Sequence, residues 1–390
     1  MICCTNTNTA LYFSSIDEIP SETLKELGCL DNLYFNPKFL KSLEINHPKI
    51  TFSYIILVDN LKNPIAFASL KIVDFHLKSI KDNFDFLKNI GRKLHLFPET
   101  KPLKLLICGN TFVSGEHGVF IKNNQDKKAV VKELAASIYH FVNSDKKLKK
   151  QIDAFLIKDF VDASINITNK LKLYNYHPFS VEPNMVLKLD TNWLNFDDYL
   201  ASLKTKFRVK AKKAFKQSKE LVIEDVTLAS IENILPKIKS LYTKVATNAS
   251  FNLVDFNLET YISLKEKLGE NYILKTYCLN GEVVGFISGV INKNALDAHF
   301  VGIDYQLNRA YAIYQRMLYN YIEIAIKHNL NTINYGRTAS EIKSSVGATP
   351  QNLTMYLRHK KTIKNKILKL FLQRVQPTPF QQKFPFKKQS

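Results

Sequence analysis

The chain has 390 residues, 45% of them hydrophobic and 12% aromatic, with 55 Lys and Arg against 35 Asp and Glu for a net charge of +20. That apolar content suffices for two ordinary cores and excludes a disordered or fibrous polypeptide. No run of about 18 uninterrupted apolar residues occurs, so no membrane-spanning helix is expected.

The N-terminus has no basic stretch followed by an apolar one, so a cleaved leader is not expected. The five cysteines, Cys3, Cys4, Cys29, Cys108 and Cys278, are odd in number and scattered, which fits free thiols in a reducing compartment and a cytoplasmic location. A lipid anchor on Cys3 or Cys4 normally needs a helper signal, and none precedes them. The nine histidines are dispersed without ligand spacing, so no metal site is expected.

In the first half an apolar strand over Leu103–Cys108 runs into Asn110 and the loop Gly115, Glu116, His117, Gly118. Polar groups just after such a strand are candidate site residues: Asn110 for substrate, Glu116 with His117 as an acid/base pair. A turn held open by its two glycines is an equally good reading. Residues 185–190 read as a strand and 196–220 as one long helix, with Tyr199, Leu200, Leu203, Phe207, Ala211, Ala214 and Phe215 as its apolar stripe. Asp197 and Asp198 at its start complement the helix dipole. Eight bases and no acid lie between Ser202 and Lys219, which is either a polyanion-binding face or a solvated one.

The second half is the more informative. Tyr272–Leu279 and residues 283–292 are β-rich runs joined at Asn280 and Gly281, residues that tolerate the positive φ of a tight hairpin. A third strand follows at 298–303. Residues 309–328 carry Ile313, Met317, Leu318, Tyr321, Ile324 and Ala325 at helical spacing, and 331–335 return as a short strand ending at Gly336.

His299 on the third strand is the first choice for general base or substrate contact, because imidazole titrates near neutral pH; a half-buried strand histidine is the plainer reading. Asp304 at the strand end is a second catalytic candidate, or an N-cap. Tyr311 and Tyr314 are candidate proton donors to a leaving group or an acyl carbonyl, or core aromatics. Arg337 and Lys343 suit a phosphate or carboxylate, Arg by a two-pronged contact and Lys as a point charge. Tyr335 and Glu341 complete this substrate-binding group, unless Glu341 pairs with one of the two cations.

After Glu341 the chain carries eleven bases and no acid. Residues 362–374 form an amphipathic helix suited to an anionic membrane interface or to docking on its own domain, and residues 377–390 read as flexible. Acyl carrier protein, tRNA, CoA and an anionic inner leaflet are all steered by such a field. No DNA-binding module is recognisable.

Antiparallel strands, helix, strand is the order of a GNAT-type acyltransferase core. The chain resembles the FemAB-like group with BioF-type acetyltransferase-like domains, whose members carry two tandem GNAT-like domains. The resemblance rests on Gly336 and Arg337 followed by Lys343 and Gly347. In the first half it rests on residues 36–40 as an early helix, 53–58 with 64–73 as a hairpin, and 105–110 with loop 115–118 as central strand and loop. The basic helix stands where that group has a Lys/Arg-rich one.

The resemblance implies an α/β (α+β) fold of two tandem GNAT-like domains, each a mixed, mostly antiparallel twisted sheet flanked by helices. The domains would be 10–190 and 221–360, with a basic connecting helix at 196–220 and a basic amphipathic or flexible tail at 361–390. The second domain would carry the chemistry: transfer of an acyl or aminoacyl group from a thioester to an amine of a lipid, amino acid or cell-envelope precursor.

By the same resemblance no cofactor is tightly bound, and the co-substrate is acyl-CoA, an acyl carrier protein thioester or aminoacyl-tRNA. The pyrophosphate turn would be Arg309, Ala310, Tyr311 and Ala312, with Arg337 and Lys343 assisting. The glycines of the usual Gln/Arg-x-x-Gly-x-Gly/Ala fingerprint are absent there. Two alternatives stand beside this reading: a tRNA-dependent aminoacyltransferase of peptidoglycan cross-bridge synthesis, and a non-catalytic adaptor on membrane or nucleic acid. The expected location is cytoplasmic, with peripheral attachment at the inner face of the membrane.

Overall fold

The computed structural model describes residues 8–75, 101–248 and 253–387. Cys3 and Cys4 lie outside the described residues. The chain forms two units: Met1–Glu182 with Ser250–Phe256 and Asn352–Thr378, and Pro183–Ala249 with Asn257–Gln351 and Pro379–Ser390. Residues 352–378, read from the sequence as the end of the second domain and the start of a tail, thus pack in unit 1. The division is one of packing, so no single cut in the chain separates the units.

Unit 1 starts with β1 (Thr9–Phe13), α1 (Ser21–Leu27), α2 (Pro37–Asn46), β2 (Thr51–Val58), β3 (Pro64–Phe75), β4 (Leu103–Cys108) and β5 (Val119–Ile121). It continues with α3 (Lys127–Ser144), α4 (Lys146–Gln151), β6 (Ala154–Val161) and α5 (Ile165–Thr168). Its sheet runs β1-β2-β3-β4-β6-β13, with β5 paired to β3 and β13 the strand Thr349–His359. Every β3 residue except Asp74 is buried, the near-continuous apolar run of a strand covered on both faces. Asp126 caps α3, its Oδ1 accepting from Lys128 N at 2.9 Å and Ala129 N at 3.2 Å. The α3 face Val130, Leu134, Ala135, Ile138 and Val142 packs on Leu106, Cys108, Phe155 and Ile157 of the sheet.

Unit 2 takes in the end of β7 (His177–Lys188), then α6 (Phe196–Ser202), α7 (Thr205–Gln217), β8 (Val222–Asp225), α8 (Leu228–Asn248) and α9 (Thr260–Leu268). After these come β9 (Tyr272–Leu279), β10 (Glu282–Asn292), β11 (Ala295–Ile303), α10 (Tyr305–Tyr311), α11 (Ile313–Lys327), β12 (Thr332–Asn334) and α12 (Ser340–Ser345). Its sheet runs β7-β12-β11-β10-β9-β8, antiparallel except for the β11/β12 pair. Asn280 and Gly281 turn the β9/β10 hairpin with φ of 50° and 81°, as their chemistry requires. All six apolar stripe residues of α11 named above are buried.

Two helices differ from expectation. The residue 309–328 helix starts earlier and is broken at Ala312, φ 47°, where the Asn308 side chain accepts from Tyr314 N at 2.9 Å and starts α11 afresh. The 196–220 helix is two helices, parted where Leu203 pairs with Phe386 in an antiparallel bridge and Lys204 N donates to Pro385 O at 2.8 Å.

The segment 379–387, expected to be flexible, is therefore held across unit 2. Lys383 N donates to Ser344 Oγ at 3.0 Å, the Lys383 ammonium meets Glu341 at 2.9 Å, and the Phe386 ring packs on Trp193 and Tyr199. Phe386 also covers Gly347, φ 106°, where an added Cβ would collide with the ring. Gly347→Ala should lower stability by more than about 1 kcal/mol, from a left-handed backbone and a lost ring contact together. A urea titration giving wild-type stability for that variant would contradict this account of the strap.

Candidate functional site

In unit 1 the parallel strands β4 and β6 pair from Leu105↔Ala154 to Cys108↔Ile157. There β4 ends, while β6 runs on to Val161 through Asp159 at φ 71° and a register shift against β13. The loop after β4 folds back on β3: Ser69 N donates to Gly118 O at 2.9 Å and Gly109 N to Ser69 O at 3.3 Å. Where the strands part lies a cavity of about 250 Å³. Cys108, Val131, Leu134, Ala135, Ile157 and Leu171 give it an apolar wall, and its charged lining residues are Glu116, Lys127 and Lys158.

Around the end of β4 is a buried polar cluster. The Lys158 ammonium donates to Asn110 O at 2.6 Å and pairs with the carboxylate of Asp159, both side chains at most 3% exposed. Asp159 also accepts from Gly115 N at 3.4 Å, so the pair ties β6 to the loop. Asn110 shapes the same loop, its Oδ1 accepting from Phe112 N and Val113 N at 2.9 and 3.1 Å. Nearby the buried Lys71 amine donates to Ser69 Oγ at 2.5 Å; burial pushes its pKa down to about 7.

Asn110, Glu116 and His117, singled out from the sequence, are thus brought together, but not as an acid/base pair. Glu116 Oε1 accepts from Val161 N at 2.9 Å, whereas the His117 ring lies 3.9 Å from that of Tyr34. Burial, followed by the Lys158 charge, pushes His117 down to about 3, so it is neutral at physiological pH. Lys158, Asp159, Lys71 and Tyr34 were not singled out; their signal is charge inside otherwise apolar strand runs.

Unit 2 repeats the parting strands. β11 and β12 pair only from Ala295↔Thr332 to Asp297↔Asn334, and β11 continues past them through His299, whose ring lies beside Phe300. Tyr335 is buried, its hydroxyl donating to Leu318 O at 2.9 Å. Lys343, expected to meet an anion with Arg337, is instead only 4% exposed, and its ammonium donates to Tyr335 O at 2.6 Å and Gly336 O at 3.3 Å. Burial pushes its pKa down to about 7. Arg337 is half-buried, and Glu341 is exposed and engaged with Lys383.

Asp304 is the N-cap of α10, accepting from Gln306 N at 3.0 Å, and lies 3.6 Å from the Lys244 ammonium. Arg309 and Ala310 are exposed, Tyr311 is half-buried, and Ala312 is the buried residue at the break. Burial pushes the Tyr314 hydroxyl well up, so it stays protonated. At the break assigned to phosphate one N–H, that of Tyr314, is taken by the Asn308 side chain, and at the start of α3 the Asp126 carboxylate takes two.

No protein-family model and no curated protein sequence matches the chain. Among solved structures it is similar to that of FemX, at TM-score 0.55 and 11% identity over 91% of this chain and 99% of the other. It is also similar to a tandem GNAT protein from the clavulanic acid biosynthesis pathway, solved without AcCoA, at TM-score 0.54 and 9% identity over 90% and 98% of the two chains. The fold is that of a tandem GNAT protein. In this chain each unit is a mixed, mostly antiparallel sheet flanked by helices, and the parting strands of each unit are the point at which its sheet opens.

Proposed function

We propose that this chain is an N-acyltransferase that moves an acyl or aminoacyl group from a thioester or ester donor to an amine, with the acyl arm held in unit 1. The cavity where β4 and β6 part carries this reading: its wall is apolar, and Glu116, Lys127 and Lys158 are placed around it. In the transfer the amine attacks the acyl carbonyl, a C–N bond forms, the C–S or C–O bond breaks, the amine proton passes to a base, and the released thiolate or alkoxide takes up a proton from that base or from water. We assign that base to Glu116, which lines the cavity and accepts from Val161 N. The likeness to FemX and to a tandem GNAT protein supports a transferase in general terms.

The Asp126 carboxylate at the start of α3 would repel a pyrophosphate there, which favours a donor whose carrier is recognised by side chains, acyl carrier protein or aminoacyl-tRNA, over free acyl-CoA. The tRNA reading draws on α7, whose Lys206, Lys210, Lys212, Lys213 and Lys216 are all exposed on a helix without an acid.

The test is incubation of the full chain with acyl-CoA, acyl carrier protein thioesters and aminoacyl-tRNA in the presence of a lysate amine pool, with products read by mass spectrometry. Ala135→Leu, which narrows the cavity, should cut transfer at least about tenfold, mainly by weakening donor binding. Glu116→Gln should lower kcat about a hundredfold with little change in KM. No transfer from any donor, or full activity in both variants, would reject the assignment.

A further inference from the structure

The helix α13 (Thr362–Leu372) docks on unit 1 through one face only. Leu368 and Leu372 pack with Val375 on Phe179 and Leu357. Asn365 locks the helix, its side chain accepting from His359 N at 2.8 Å and donating to Asn175 O at 2.9 Å. The amphipathic pattern is thereby used, yet the opposite face is not polar: Ile363 is 76% exposed and Leu370 60%. Seven residues apart, they sit two turns apart on the same side of the helix. Lys366 and Lys369 are exposed beside them.

A second basic element lies alongside. The Lys360 ammonium donates to Lys149 O and Lys150 O, at 2.9 Å each, at the end of α4. All four lysines of α4 are exposed. Asp145 caps α4 by accepting from Lys147 N and Leu148 N, and Asp153 accepts from Lys104 N, so the lysines of α4 outnumber these acids. Leu173, 65% exposed, and Lys172 stand just before Asn175, the partner of Asn365. Burial holds His359 down to about 4, and the neighbouring Lys364 and Lys361 add to the shift, as expected under a cationic surface.

We infer that this face of unit 1, built from α13, α4 and Leu173, docks on an anionic lipid bilayer. Exposed leucine and isoleucine amid lysines match the two layers of a membrane interface, apolar acyl chains beneath anionic headgroups. A nucleic acid would satisfy the lysines and leave Ile363, Leu370 and Leu173 against water or phosphate. The surface stands whether or not unit 1 transfers acyl groups.

The test is sedimentation of the full chain with vesicles of phosphatidylcholine, alone or mixed with phosphatidylglycerol. Binding should require phosphatidylglycerol and weaken as salt is raised. Ile363→Ser with Leu370→Ser keeps every charge and should weaken binding at least about tenfold. Both side chains are exposed, so the thermal unfolding curve should not move. Lys366→Gln with Lys369→Gln should weaken binding as well. Equal binding to neutral vesicles, no binding to either, or an unaffected serine variant would overturn the proposal. So would RNA binding without vesicle binding, which would reassign the surface.

Discussion

Replacing Lys158 by Met should destabilise the protein by about 3–5 kcal/mol, because it strands the fully buried Asp159 carboxylate without its cation. The ion pair is not itself a large source of stability, since two charges removed from water recover little more than their desolvation costs. Removing one partner is what costs. Lys158→Met combined with Asp159→Asn should therefore recover most of the loss: the amide is uncharged, keeps an oxygen for Gly115 N, and tolerates the positive φ of that site. Urea unfolding of the three variants measures this, and a double variant no more stable than the single one would refute it. Lys158 also lines the cavity, so the single variant should lose transfer as β6 and the loop come apart.

Stability should also rise with pH from about 7 to about 9, above which the buried Cys29 and Cys108 thiols, pushed up to about 11 and about 12 by burial, oppose the trend. Lys71 and Lys343 have folded-state pKa values lowered to about 7 by burial, against an ordinary value of 10.5. Between those values the unfolded chain holds a proton on each lysine that the folded chain does not, so deprotonation favours the native state. Each contributes a slope of about 1.4 kcal/mol per pH unit across the window. Lys343→Met should halve the combined slope. The same variant forfeits the donors to Tyr335 O and Gly336 O, so its stability need not exceed wild type at high pH. A flat wild-type profile from pH 7 to 9 would show that both amines stay charged in the folded chain.

The elements that local chemistry dictates were legible in the sequence. Asn280 and Gly281 announce a hairpin because few other pairs accept two positive φ values, and the α11 stripe announces its buried face by spacing alone. The helix breaks were not legible, because each is set by a contact that the apolar spacing does not encode. At Ala312 it is the Asn308 side chain; at Leu203 it is a strand of tail some 180 residues further on.

The same distinction governs the site. Asn110, Glu116 and His117 follow an apolar strand and stand out, whereas Lys158 and Asp159 sit within one and acquire meaning only once β6 lies beside β4. Lys343 was visible as a cation but not as an inward one. Its acceptors are carbonyls, which carry no signature in the residue code.

The order in which packing partners leave the ribosome bears on biogenesis. Unit 1 lacks its β13 edge until residue 359 has emerged, and unit 2 lacks the cover over Gly347 and Trp193 until Phe386 has. Unit 1 must therefore wait for a strand made after most of unit 2, although a nascent chain ordinarily matures from its N-terminal domain onward. Loss of residues 379–387 would thus leave unit 2 without its cover while unit 1, which draws on nothing beyond 378, kept all its strands, so the damage would fall on one half alone.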